Sequence, residues 1–228
     1  MRYAIASLLA AIALLGPVPA SAQVNDGQKL SEKSASRVFW SFSKCAVRRK
    51  SDQAEQLVVR FTDDQAGRKL VDEFAQKHRK CLIPGEELRM RERLFVNALA
   101  SAAFVAKYRD LPLPDFASAP PIVTDEDLAE AANPNETQSL VLLAFGECVF
   151  KNKSSEVRAL LEERPFTDGE SAKLSVIMPT LGACLPAQEG NQIKFSRIGL
   201  RGILGRAAYA VDREYASKTV SREHEDAS

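Results

Sequence analysis

Apolar residues recur at intervals of three and four in several stretches of the chain. Val38, Phe42, Cys45 and Ala46 fall on one such face. Leu94, Ala98, Leu99, Ala102 and Val105 make a second, and Ile198, Ile203, Ala207 and Val211 a third. This is the period of an α-helix with one buried side. The run Leu140-Val141-Leu142-Leu143 fits a buried strand equally well by periodicity alone. Its counterpart around Val38 is helical, so both are read as buried helices. The polar segments 48–52 and 151–155, with serines at Ser51 and Ser154, are expected to break these helices and cap a short second one.

Helix starts are marked by Thr-Asp-x-Gln at Thr62 to Gln65 and by Thr-Asp-x-Glu at Thr167 to Glu170. Such a pair forms a capping box, in which two side chains satisfy the free amides of the first turn. Phe61 and Phe166 precede the threonines, where a hydrophobic staple residue belongs. Helices are therefore expected from about 63 and about 168. The first runs into Lys77-His78-Arg79-Lys80, and cations suit a helix C-terminus. The second meets Pro179, which is expected to kink or shorten it.

These patterns occur twice. Cys45 and Cys81 are 36 residues apart, as are Cys148 and Cys184. Phe42-x-x-Cys45 matches Phe145-x-x-Cys148, Cys81-Leu82 matches Cys184-Leu185, and Arg93-Leu94 matches Arg197-Ile198. The match covers roughly 37–108 and 140–210. The expected fold is all-α, with two pseudo-symmetric repeats of three to four helices and one disulfide in each. Repeat 1 takes residues 23–109 and repeat 2 residues 137–216. Between them, 110–136 is a Pro-rich acidic linker with a short helix after Thr124. Residues 217–228 read as a disordered polar tail. Gly199, Gly202 and Gly205 lie along one side of the last helix. Each costs about 1 kcal/mol against alanine there, which a close helix–helix contact, or else a ligand or partner approaching the backbone, would offset.

The N-terminus bears on the cysteines. Met1-Arg2-Tyr3 precedes an apolar run from Ala4 to Leu15, then Ala20-Ser21-Ala22. A positive start, a short apolar core and a small-residue cleavage site define a signal peptide over 1–22. The run of 12 residues is too short for a bilayer, which takes about 20. No later stretch is long and apolar enough to span one either. The expected location is the periplasm or the medium, where an even number of cysteines favours disulfides over metal or redox chemistry. Four cysteines allow three pairings. The repeat favours Cys45–Cys81 and Cys148–Cys184, because each unit then closes alone. A loop of this size is worth roughly 3–4 kcal/mol in the chain-entropy account.

Charge is balanced overall, with 31 Lys and Arg against 30 Asp and Glu, but uneven along the chain. Residues 37–109 carry 16 cations and 9 anions, a net of +7, whereas 110–136 carry no cation and 7 anions. A Cys45–Cys81 bond would bring Arg48, Arg49 and Lys50 near Lys77, Arg79 and Lys80. That cluster is either a site for an anionic lipid or polysaccharide, or a solvated face, or a seat for the acidic linker. The basic runs lack interleaved aromatics, which with the export signal argues against nucleic acid. Where repeat 1 has Gln76 to Lys80, repeat 2 has Pro179-Thr180-Leu181-Gly182-Ala183. This apolar strip is either the seam between the repeats or a groove for a partner.

Motifs for a reaction are missing. Two histidines remain, His78 and His224, neither with a second ligand at useful spacing. There is no glycine-rich phosphate loop, no H-E-x-x-H and no C-x-x-C. No cofactor is expected. Adjacent glutamates occur at Glu86-Glu87 and Glu162-Glu163.

The strings Phe145-Gly146-Glu147-Cys148, Leu181-Gly182-Ala183-Cys184-Leu185 and Leu200-Arg201-Gly202 resemble those of a group of uncharacterised exported alphaproteobacterial proteins with tandem cysteine-containing helical repeats. The resemblance covers most of the mature chain and implies no activity. The leading expectation is therefore an exported, non-enzymatic binding or interaction protein. The alternatives are a binder of an anionic envelope component through the repeat 1 cations, and a hydrolase with an unrecognised carboxylate pair.

Overall fold

Helix ends are set by local chemistry that the chain supplies at regular points. Ser31 accepts the Ser34 amide and opens α1, Glu32–Arg49. The chain turns at Lys50 and continues as α2, Ser51–Arg60. Asp64 accepts the Gly67 amide at 2.9 Å and opens α3, Gln65–Lys77. A 3-10 turn, Arg79–Cys81, follows, and α4 spans Glu92–Lys107. A second 3-10 turn, Phe116–Ser118, and the short α5, Asp125–Glu130, cross to the other half. There Asn133 caps α6, Pro134–Asn152, and α7 is Ser154–Glu162. Thr167 accepts the Glu170 amide and opens α8, Asp168–Cys184, and α9 is Arg197–Asp226. This computed structural model describes residues 31–82, 91–185 and 195–226, with side chains to 219. The expected leader, Glu86-Glu87 and the side chain of His224 lie outside the described residues.

The fold is all-α, and no strand occurs among the described residues. The disulfides are Cys45–Cys81 and Cys148–Cys184, with Cα atoms 5.6 and 5.8 Å apart. The order of long, short, capped and long helix occurs at α1 to α4 and again at α6 to α9. No described helix is long and apolar enough to cross a membrane.

Several expectations change in detail. Asp64, not Thr62, caps α3; the Thr62 hydroxyl donates to Asp64 instead, at 2.8 Å. A carboxylate two residues on is simply the better acceptor for the first-turn amides. Ser51 and Ser154 are first residues of their helices, and the caps are Lys50 and Lys153, without side-chain bonds. Pro179 does not shorten α8, which runs on to Cys184. The carbonyl it leaves unpaired is that of Ser175; both residues are exposed, so water can serve it. The expected tail is helical through Asp226, as a continuation of α9.

The segment 110–136 is more than a tether. Phe116 is buried among Phe104, Tyr108, Phe150 and Tyr215, with ring centroids 5.0–6.3 Å away. Lys151 donates to the carbonyls of Ala119 and Pro120, and the Glu147 carboxylate accepts the Ile122 amide. The segment thus lies against α6 and α9, with its acidic side chains exposed.

The most extensive helix contact is α4 against α9, the junction of the two halves. It is close because side chains are absent there. A Cβ on Gly205 would stand 1.6 Å from the Ser101 hydroxyl, and one on Gly202 3.2 Å from Asn97. Packing accounts for these two glycines. Gly199 meets only Ser196 of its own helix. At the far end of the junction, buried Asp212 accepts from Tyr108 and from Lys107 at 2.8 Å. Burial, then the bond to Asp212, pushes the Tyr108 phenol well above its usual range, so it stays a donor.

Candidate functional site: a cleft at the junction of the halves

Where α1 and α4 meet the start of α9 and the end of α7, the halves leave a small cleft of about 50 Å³. Its floor is α4, through Leu94, Ala98, Ala102 and Val105. Ile198 and Gly202 of α9 form one side, and Leu161 and Pro165 another. The remaining wall is α1, through Ser36, Phe39, Trp40 and Lys44. Small residues at 98, 102 and 202 keep the space open, while the leucines and prolines around it keep it apolar.

The α1 wall carries unsatisfied polar atoms. Ser36, 3% exposed, has a hydroxyl without a hydrogen-bond partner, and so does the indole nitrogen of Trp40. Buried polar groups are nearly always paired, so an unpaired one calls for an explanation. Ser43 is likewise buried and unpaired but does not line the cleft. Ser36, Trp40 and Lys44 are spaced by four, so they follow one another along one face of α1. The Lys44 ammonium sits 4.2 Å above the Trp40 ring.

The lip beside Pro165 is held rigidly. Phe166 adopts φ 59°, the one non-glycine residue in the left-handed region among those described. Its amide donates to the Glu170 carboxylate at 2.8 Å. Arg37 of α1 donates to the carbonyls of Pro165 and Phe166 at 3.2 and 3.3 Å. Arg201 of α9 donates to Leu160, Leu161 and Glu163 carbonyls at 2.7–3.0 Å, finishing α7. It also pairs with Glu170, which is fully buried. Burial lowers the Arg201 pKa, and the Glu170 charge opposes this.

The cations singled out in the sequence lie elsewhere. The Cys45–Cys81 bond joins the end of α1 to the 3-10 turn after α3. Arg48, Arg49, Lys50, Lys77, Arg79 and Lys80 are all exposed, and none makes an ion pair within the described residues. Beneath them His78 is buried, its ring 4.3 Å from Phe74 and its Nε2 3.3 Å from the Gln53 side-chain oxygen. Burial first, then the charges of Lys77, Lys50 and Arg49, hold its pKa below 6.5. The acidic segment makes its hydrogen bonds with α6 and α7 rather than with these cations.

Other candidates disperse. Glu162 pairs with Arg158 at 3.6 Å, while the Glu163 carboxylate lies beside Gly169 at the start of α8. Leu181 alone of the apolar strip is buried; Pro179, Gly182 and Ala183 are exposed, so the strip is not the junction of the halves. No group of three or more metal-ligating side chains occurs among the described residues. No family model, curated protein or solved structure matches the chain.

The cleft itself was not legible as a site. Ser36, Trp40, Ala98 and Gly202 come together only when α9 closes on α1 and α4. The one usable signal is the Ser-x-x-x-Trp-x-x-x-Lys stripe along one face of α1.

Proposed function

We propose that this chain is an exported, non-enzymatic binding protein whose ligand occupies the cleft between its halves. The observation that carries the reading is the pair of buried, unpartnered polar atoms, Ser36 Oγ and Trp40 Nε1, on residues that line the cleft beside Lys44. A ligand with an apolar body and one polar group would satisfy both features, as small-molecule sites usually do. The recurring helix order and disulfide spacing support a duplicated unit whose second copy diverged around the cleft. The leader-like N-terminus and the two disulfides support export.

Trp40 is the single tryptophan, so the protein carries its own reporter. Titration with straight-chain alcohols of about four to ten carbons is expected to give a saturable change in Trp40 emission. Ala98→Phe, which fills the floor, should abolish it while the helical circular dichroism stays. Alcohols that leave the emission unchanged throughout would overturn the reading.

A second reading is favoured by the exposed cations above His78, which make no ion pair among the described residues. We infer an accessory contact with anionic lipid. Vesicles of phosphatidylglycerol should bind the protein and phosphatidylcholine vesicles should not. Binding should be lost in about 0.5 M salt, which screens charges beyond a few ångströms. Replacing Arg48, Arg49, Lys77 and Lys80 together by Gln should abolish it. A nearby anion raises the pKa of His78 from its lowered value, so binding takes up a proton. Affinity should therefore rise as pH falls through the histidine range. Binding insensitive to both salt and the four substitutions would count decisively against this contact.

A further inference from the structure

The charges around the cleft mouth point to the polar group of its ligand. Glu162 is engaged by Arg158, and Arg201 is spent on Glu170 and three carbonyls. Lys44 has an aromatic face beneath it but no carboxylate partner among the described residues. Among the described residues, Lys44 is thus the one uncompensated charge on the cleft. Next to it, Trp40 Nε1 can only donate, and the Ser36 hydroxyl can donate as well. Over the eight residues from Ser36 to Lys44 the helix rises about 12 Å. The α1 wall is therefore a file of donors ending in a cation, facing an apolar floor and side.

Resting on the cleft reading, we propose that the ligand is a small monocarboxylate with an unbranched apolar chain. Its carboxylate accepts from Trp40 Nε1 and meets the Lys44 ammonium. Its chain lies over Ala98 and Ala102 of α4. Charge-assisted bonds in a partly dry site are roughly twice as strong as neutral ones, so the anion gains most there. The Lys44 ammonium would move from the Trp40 face toward the incoming oxygen, while Phe166 and Pro165, clamped by Arg37, stay in place.

The test compares octanoate, 1-octanol and octylamine below their aggregation limits at pH 7.5, read by Trp40 emission and by calorimetry. Octanoate is expected to bind at least about tenfold more tightly than 1-octanol, with octylamine weakest. Lys44→Gln should remove the preference for the acid, so that octanoate binds no more tightly than 1-octanol to the same variant. Because Lys44 is exposed, that variant should fold normally, and calorimetry avoids the change in Trp40 emission it causes by itself. Octanol binding as tightly as octanoate, octylamine binding most tightly, or a preference that survives Lys44→Gln would each overturn the carboxylate while leaving the cleft reading intact. Failure of all three compounds to bind would overturn both.

Discussion

Arg201→Met is expected to cost about 3–5 kcal/mol of folding stability, out of the roughly 5–15 kcal/mol that holds a typical domain together. The loss has two parts. Glu170, with no exposed surface, would be left with only Arg197, 3.5 Å away and half in solvent, as a cationic partner. Breaking a buried pair by removing one member is far worse than never having built it. The carbonyls of Leu160, Leu161 and Glu163 would also lose their donor at the end of α7. Methionine keeps much of the volume, so the effect is not one of cavity. Urea unfolding should show it directly. Adding Glu170→Gln should recover part of the loss, since the amide oxygen still accepts from Phe166 without a stranded charge. A single variant within about 1 kcal/mol of the parent would show that Arg201 is not the keystone described here.

Loss of the disulfides is expected to be comparable. Each closes a loop across a sequence separation of 36 and is worth about 3–4 kcal/mol in the chain-entropy account. Cys148→Ser with Cys184→Ser should lower the thermal midpoint by several degrees or more, because α8 would keep α7 and part of α6 but lose its C-terminal tie. Cys45→Ser with Cys81→Ser should do the same to the end of α1. With both pairs gone, the combined loss approaches the whole stability of the fold, and the reduced chain should unfold cooperatively near room temperature. Thermal melts with and without reductant measure this. Non-reducing peptide maps supply the complementary check: a Cys45–Cys148 peptide would contradict the pairing.

How much of this could be read in advance depended on whether the cause was local. The helices α1, α4 and α9 follow from spacing within each segment, which reports one buried face, and α6 follows only from its match to α1. The disulfide partners follow from the repeated interval. Half of the box expected at Thr167 forms: Thr167 accepts the Glu170 amide, but the Glu170 carboxylate takes the amide of Phe166 rather than that of Thr167. What failed was decided by competition or by distance. Asp64 outcompetes Thr62 as a cap two residues away. Pro179 is tolerated because the carbonyl it strands faces water. Phe116, flanked by prolines in an acidic stretch, gave no periodic signal, yet it fills the space between α4, α6 and α9. Arg201 is an ordinary-looking cation in a helix until the corner it serves is folded 40 residues upstream. The cleft combines all of these limits, since its walls come from four helices and its polar atoms are informative only because nothing pairs with them.

The arginine contacts have a consequence for how such a molecule can change. Arg206 of α9 donates to the carbonyl of Val58 at the end of α2, and Arg158 of α7 to that of Tyr108 at the end of α4. Arg37 of α1 serves the corner before α8, and Glu32 of α1 receives the first amide of the α9 turn at Ile198. Helix ends in each half are therefore completed by side chains that belong to the other. The two halves are not modular. Neither half could be lent to another protein, replaced by a copy of its neighbour, or multiplied into a longer array, because each would arrive with open helix ends. Such a chain can vary its cleft and its surface freely, but its architecture can only be inherited whole.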